Sequence, residues 1–270
     1  MLPAALRLIH PAPAFAVIAL SAALGAILLA LAGRAPDMSL LLVVLSVAGS
    51  QVATGAFNDW ADRHRDAMAR REKPIPAGLL SPRTAVLIGI AGIALQLVTS
   101  AWLGPLPLLL GAGATASALA YDLALSRTPA SVLPYLVSFG LLPLWLAAGI
   151  GLPLERVAAA SVVVAPFAAA AHLANTLRDF DGDALAGSRN LAQVLGRRTS
   201  RVLALGMALG VGMLLALLFG LSGQWRPASL ALGVIGLLAV GQGAASAPRL
   251  WYGMLVAALC WTAAWALASG

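Results

Sequence analysis

Apolar runs of about twenty residues alternate with short polar breaks along almost the whole chain, and that is the length a helix needs to cross a bilayer. The pattern predicts nine spans, at residues 13–33, 38–57, 83–103, 106–121, 131–150, 156–174, 201–222, 227–246 and 250–268. The fourth is short and follows Gly104-Pro105-Leu106-Pro107, which makes its start the least defined boundary. The first run, Ala14 to Gly33, is too long for the apolar part of a signal peptide and lacks a cleavage site, so it reads as a span. The expected fold is an all-α polytopic membrane protein in one domain, residues 1–270.

Composition agrees with this pattern. Of 270 residues 61% are hydrophobic and 10% charged, with a mean hydropathy of +0.92. Soluble domains carry about 25% charge, which excludes an ordinary soluble enzyme. The single cysteine, Cys260, lies in an apolar run, so neither a disulfide framework nor a thiolate metal site is expected. A net charge of +7 would suggest nucleic acid in a soluble protein, but here its distribution matters more, and no nucleic-acid partner is expected.

With nine spans, the N-terminus and the loops after spans 2, 4, 6 and 8 share one side. That side holds fourteen of the seventeen Lys and Arg residues; only Arg34, Arg156 and Arg226 fall on the other. The rich side is therefore read as cytoplasmic, and the Ala- and Gly-rich composition points to a bacterial plasma membrane. Trp102 and Trp225 at outer ends, and Trp251 and Tyr252 at an inner end, suit an interfacial aromatic belt.

Against this apolar background one polar stretch stands out, Asn58-Asp59-Trp60-Ala61-Asp62-Arg63-His64-Arg65-Asp66. Asn175, Asp179 and Asp183 repeat the spacing of Asn58, Asp62 and Asp66, so both read N-x-x-x-D-x-x-x-D. On a helix these positions lie roughly along one face, each row offering an amide and two carboxylates. Carboxylates packed so closely repel unless a cation sits between them, and an oxygen-only set suits a hard divalent ion such as Mg²⁺. Four predicted spans separate the rows, so both open on one side and can form a shared cage; a miscount of one would part them. Six of the ten acids fall in these two stretches, near membrane depth, where acids are costly and usually functional.

Arg71, Lys73, Arg127, Arg178 and Arg189 lie around the acids and are equally readable as solvated loop charges. Acids interleaved with fixed cations point to a metal holding a polyanion, and a diphosphate fits. There is neither a glycine-rich nucleotide loop nor a G-x-S-x-G elbow. His172 shares the face of Asn175 and Asp179, though a hydrogen-bonded helix-end imidazole is the commoner role; His64 reads as a solvated loop residue. Tyr121 and Asp122 close span 4 on the same side, Tyr121 serving equally well as an interfacial anchor. Lys73-Pro74-Ile75-Pro76-Ala77-Gly78 is a stiff turn, either a connector or a loop closing over the cage.

The likeness between the two stretches continues. Asp66-Ala67-Met68-Ala69 matches Asp183-Ala184-Leu185-Ala186 at an offset of 117, and Arg83-Thr84 matches Arg198-Thr199 at 115. Two parallel four-helix repeats, roughly 13–121 and 131–246, are expected, with the ninth span outside them and polar loops at 58–82 and 175–200.

These residues resemble the UbiA superfamily of intramembrane prenyltransferases over nearly the whole chain. The likeness rests on Asn58-Asp59-x-x-Asp62-x-x-x-Asp66 and on Asn175-x-x-Arg178-Asp179-x-Asp181-Gly182-Asp183-x-x-x-Gly187, supported by the Lys73 to Gly78 and Tyr121 to Pro129 segments. It implies a ring of nine helices around a central cavity open to lipid. Asp62, Asp66, Asp179 and Asp183 would be the catalytic acids and Mg²⁺ ligands. Asn58 and Asp59 would support them and, with Arg71, Lys73, Tyr121, Arg127, Asn175, Arg178 and Arg189, would bind the substrates, an isoprenyl diphosphate held through the metal foremost. The sequence departs from the family at Lys73, where Arg is common before Pro, at Ser126, where a basic residue is common, and at Asn190, where Thr is common.

The implied reaction is Mg²⁺-dependent prenyl transfer, with an aromatic quinone precursor as the small-molecule acceptor. A phosphorylated sugar or glycerol phosphate is the alternative acceptor. An ion-coupled transporter is the reading from another class; its acids would lie midway across the membrane, whereas these sit at span ends.

Overall fold

The structure is a computed structural model that describes residues 3–185, 187–221 and 226–269. Trp225, Ala186 and position 222 at the predicted end of the seventh span lie outside the described residues. In chain order the helices are α1 (Ala4–Leu8), α2 (Pro11–Leu31), α3 (Met38–Ala69), α4 (Pro82–Leu103) and α5 (Pro105–Ala120). A π-helical turn, Tyr121–Leu125, and a 3₁₀ turn, Pro129–Val132, lead to α6 (Leu133–Gly149) and α7 (Glu155–Arg178). Then come α8 (Phe180–Leu185), α9 (Leu191–Leu221), α10 (Pro227–Gly241), a 3₁₀ turn Gln242–Ala244, and α11 (Ala247–Ser269).

The protein is all-helical and polytopic. Among the described residues eight helices are long and apolar enough to cross a membrane; α11, 23 residues long, lies where the ninth span is expected. Prolines mark several starts: Pro11, Pro82, Pro105 and Pro227 occupy the first helical position, where a missing N–H goes unneeded. Asp37 caps α3 by accepting from the Ser39 N–H at 3.0 Å. Hydrogen bonds from Ser39 and from Arg34 hold the Asp37 carboxyl down at about 2.

Two boundaries differ by ten residues or more from the hydropathy reading. Helix α3 runs to Ala69, twelve residues beyond the predicted 57. No helix breaker intervenes, and Ala56, Asp59, Asp62 and Asp66 keep one face buried at helical spacing. The seventh span begins ten residues early, at Leu191, with a break at Gly196 (φ 78°, ψ 162°) that only glycine takes readily. His64 is exposed as expected, but on helix α3 instead of a loop.

The chain divides into two compact units. The first comprises Met1–Ser126 and Leu141–Ala158, the second Arg127–Gly140 and Ala159–Gly270. The change at 126/127 falls between the expected repeat halves, but 141–158 belongs to the first unit, so α6 changes unit within its own length.

In the first unit α3 and α4 meet along small residues. A Cβ on Gly49 would stand 2.7 Å from both the Gln96 nitrogen and the Gly92 oxygen, and one on Gly92 would stand 2.7 Å from the Ala53 nitrogen. Beside this seam Ser46 Oγ donates to the Gln96 carbonyl at 3.0 Å, and Thr115 Oγ1 donates to Ser50 Oγ at 2.9 Å. Small residues that let backbones approach, with hydroxyls bonding across, are how helices associate in lipid. The second unit packs around Trp261, whose ring fills the space left by Gly212 and Gly236 and meets Phe167 edge-on at 5.3 Å. Large apolar side chains such as Leu87, Val98, Leu109 and Leu238 remain exposed, as a hydrocarbon surrounding allows. Trp102 and Tyr252 are likewise exposed near helix ends.

Candidate functional site

The first acidic row stands intact on one helix. Asn58, Asp59, Asp62 and Asp66 all lie on the last three turns of α3, and the three acids are at most 8% exposed. Buried carboxylates need compensation, and Lys73 and Arg65 supply it. Lys73 Nζ, on the turn after α3, donates to Asp59 Oδ1 and to Asp66 Oδ2, 2.8 Å each. Arg65 donates to Asp62 Oδ2 at 2.6 Å from within α3. Lys73 reaches back because the chain turns sharply here: Pro74 is buried, Ile75 packs against the cluster of Leu8, Ala56 and Ala85, and Gly78 takes φ +71°. The stiff turn expected at 73–78 is present.

Asp122, at the π-helical end of the fourth span, joins this group: Asn58 Nδ2 donates to Asp122 Oδ1 at 2.9 Å. Tyr121 opens the same turn and is partly buried. Arg71, expected beside the acids, is exposed, and its Nε donates to the Ala67 carbonyl at 3.1 Å near the end of α3.

The second row does not stay on one helix. Helix α7 ends at Arg178, Asp179 is a turn residue, and Asp183 lies on the separate helix α8. Helical bonding still links the row, the Asp179 N–H donating to the Asn175 carbonyl at 3.4 Å and the Asp183 N–H to the Asp179 carbonyl at 2.9 Å. Arg178 lies along Asp179, its Nε and Nη2 at 3.3 and 3.2 Å, while its guanidinium stands over the Trp251 ring at 5.6 Å. Gly187 takes φ +68° after α8 and turns the chain toward Asn190, as a glycine permits. Asn175 is half-buried on α7. Arg127 and Arg189 are exposed and joined through their backbones, the Arg189 N–H donating to the Arg127 carbonyl at 3.0 Å.

Asn190, noted in the sequence only as a departure, is central. It is 2% exposed; its Nδ2 donates to Asp183 Oδ2 at 2.9 Å, and its Oδ1 accepts from the Gln193 N–H at 3.0 Å, capping α9. Asn190→Ala is expected to cost about 1 kcal/mol through the lost cap and to loosen Asp183. Asn190→Asp keeps a cap but sets like charges together. Thermal unfolding of both variants should therefore rank wild type above Asn190→Asp; equal midpoints for all three would contradict the assignment.

His172 is buried inside α7 and hydrogen-bonded, Nε2 to Ser131 Oγ at 3.0 Å, and stacks on Tyr135 at 4.4 Å. The hydrogen bond is the kind expected of it, made from inside α7 and not from a helix end. Ser131 Oγ also accepts from the Leu191 N–H at 3.3 Å, tying α7 to the start of α9. His10 is a participant that sequence reasoning did not weigh: its Nε2 lies 3.0 Å from Asp59 Oδ1. The signals were its place before Pro11 and, in the structure, a left-handed backbone.

Among the described residues no three His, Cys, Asp or Glu side chains converge as a ready metal site. Lys73 and Arg65 stand on the first row as its ionic partners. The donor set itself is carboxylate and amide oxygen, and Asp59 Oδ2 and Asp122 Oδ2 are buried without a hydrogen-bond partner. That chemistry fits a hard divalent cation.

Known proteins place the chain. Over 177 residues it is 29% identical to digeranylgeranylglyceryl phosphate synthase of Natronomonas pharaonis, covering 64% of this chain and 63% of that protein. The Methanothrix thermoacetophila enzyme of the same name is 29% identical over 176 residues, 64% of each chain. The match thus spans less than two thirds of these relatives' length. A UbiA homolog from Archaeoglobus fulgidus, solved with GPP and Mg²⁺, superposes with a TM-score of 0.73 at 20% identity, covering 99% of this chain and 100% of that one. The model of the UbiA prenyltransferase family matches residues 18–249, and the chain belongs to that family.

Proposed function

We propose that this protein transfers a prenyl group from an isoprenyl diphosphate to the hydroxyl of a glycerol-phosphate-type acceptor, releasing diphosphate with the help of Mg²⁺. The observation that carries the donor half is Lys73, held 2.8 Å from both Asp59 and Asp66. A mobile ammonium set between carboxylates is positioned to exchange them for phosphate oxygens when a metal takes the acids. The names of both relatives support the acceptor half and move it from the aromatic ring expected at first to a glycerol phosphate.

In this reading Asp62, Asp66, Asp179 and Asp183 hold the metal, with Asn58, Asp59, Asn175 and Arg178 in support. Lys73, Arg127 and Arg189 take outer diphosphate oxygens. Bound Mg²⁺ supplies neutralisation of the charge that builds on the leaving group. The allylic C1–O bond breaks with its electron pair passing to the diphosphate. The acceptor oxygen then bonds to C1, and its proton leaves to a diphosphate oxygen. No covalent link to the chain is needed. The donor's hydrocarbon tail stays among apolar helices, and the acid-bearing helix ends face the cytoplasm, a placement supported by the Lys and Arg asymmetry.

The test is detergent-purified protein with Mg²⁺, a ladder of prenyl diphosphates and a mixed panel of glycerol phosphates, phosphorylated sugars and hydroxylated aromatic acids. The expected result is a mass gain of one prenyl group on a glycerol phosphate, matched mole for mole by released diphosphate. A gain on an aromatic acid alone would reverse the acceptor assignment. No diphosphate release with any pair would remove prenyl transfer and favour a carrier.

A further inference from the structure

The corner between α1 and α2 is strained and placed. His10 precedes Pro11, a position biased toward extended backbone, yet it takes φ 50°, ψ 68°, and it alone among the described non-glycine residues has a positive φ. Such a conformation persists only where the surroundings hold it, and it is often found where a side chain is being aimed. The holding contacts are visible. Leu8 is fully buried against Ala56 and Ala85. The Ile9 backbone lies so close to α3 that a Cβ on Gly55 would stand 2.7 Å from the Ile9 Cα. Arg7 donates to the Glu72 carbonyl, beside Lys73. Gly55 is one helical turn before Asp59, so the corner that rests on Gly55 delivers the imidazole to Asp59.

A carboxylate only accepts, so His10 Nε2 donates to Asp59 Oδ1. The same oxygen accepts from Lys73, whose remaining bond is to Asp66. Asp59 is 2% exposed. If Lys73 were its only donor, moving that ammonium onto a substrate would leave a buried carboxylate without compensation, a penalty that opposes ligand binding. His10, anchored by the backbone, does not move with Lys73.

We propose that His10 is a positioning residue for the diphosphate site: by keeping Asp59 hydrogen-bonded it lets Lys73 leave the acids for the diphosphate. This rests on the prenyl-transfer reading. It assigns His10 a role through Lys73, with no contact to substrate, and it makes the N-terminal corner part of the donor site.

Inorganic diphosphate with Mg²⁺, titrated calorimetrically into the full chain in detergent, is the probe, with thermal unfolding recorded for each variant. His10→Ala should weaken diphosphate binding roughly tenfold, a change of about 1.4 kcal/mol. His10→Gln, which restores an N–H donor at similar reach, should recover most of it. In a Lys73→Ala background, His10→Ala should add nothing, since its effect passes through Lys73. A merely structural histidine would lower the unfolding midpoint and leave affinity unchanged, or lower affinity equally in both backgrounds; either result overturns the inference. Should His10→Ala fail to fold, His10→Gln against His10→Leu in the two backgrounds gives the same decision. Wild-type protein that binds no Mg²⁺-diphosphate would overturn the prenyl-transfer reading and this inference together, whereas normal wild-type binding with an indifferent His10→Ala overturns this inference alone.

Discussion

Asp66→Asn is expected to lower prenyl turnover by roughly 10²–10³-fold at saturating donor, the usual loss when one charge-stabilising group is removed from a transition state. The substitution preserves size and an oxygen acceptor but not the charge. Asp66 is 2% exposed and shares Lys73 with Asp59, so the loss of charge is not made up by solvent. The loss should fall on turnover more than on donor KM, because the charge it answers develops as the C–O bond breaks. Asp179→Asn, in the second row, should behave alike, whereas Arg71→Gln should change little, since Arg71 is exposed and bonds a helix-end carbonyl. Initial rates of diphosphate release over a Mg²⁺ titration check this. Full activity of Asp66→Asn at saturating Mg²⁺ would refute the metal-ligand assignment.

Gly49→Val should produce a large stability loss in the first unit, about 1–3 kcal/mol or more by overpacking. The new Cβ would meet the backbone of α4, 2.7 Å from both the Gln96 nitrogen and the Gly92 oxygen. Backbone cannot swing aside as a side-chain tip can, so α3 and α4 must part. Parting them also strains the Ser46 bond to the Gln96 carbonyl and, further along α3, moves the helix that carries the acids. Gly206→Ala, in α9 with nothing within 4 Å of the added carbon, is the control, neutral or slightly stabilising. Thermal unfolding in detergent separates them; Gly49→Val melting with wild type would contradict a close backbone seam between α3 and α4.

The order of the spanning helices was legible from hydropathy, and their number nearly so, eight of the nine expected meeting the length and apolarity of a span among the described residues, because lipid leaves a spanning chain almost no choice but helix and demands a fixed length of it. The first acidic row was legible too: helical spacing places Asn58, Asp59, Asp62 and Asp66 along one side of whatever helix carries them, and α3 does. So was the turn at Pro74 to Gly78, since proline and glycine restrict the backbone locally. The second row shows the limit of that reasoning. Asn175, Asp179 and Asp183 have the same spacing, yet α7 ends at Arg178 and Asp183 lies on α8, where Asn190, beyond the turn at Gly187, bonds its carboxylate. Which cation meets which acid was likewise undetermined. Lys73 and Arg71 are two residues apart and equally charged, and only folding sends one to Asp59 and Asp66 and the other to a carbonyl. His10 and Asp59 are 49 positions apart and are joined by the close approach of Ile9 to Gly55. Spacing along a chain determines which groups can share a face; which groups meet depends on where separate helices touch, and that is settled by packing.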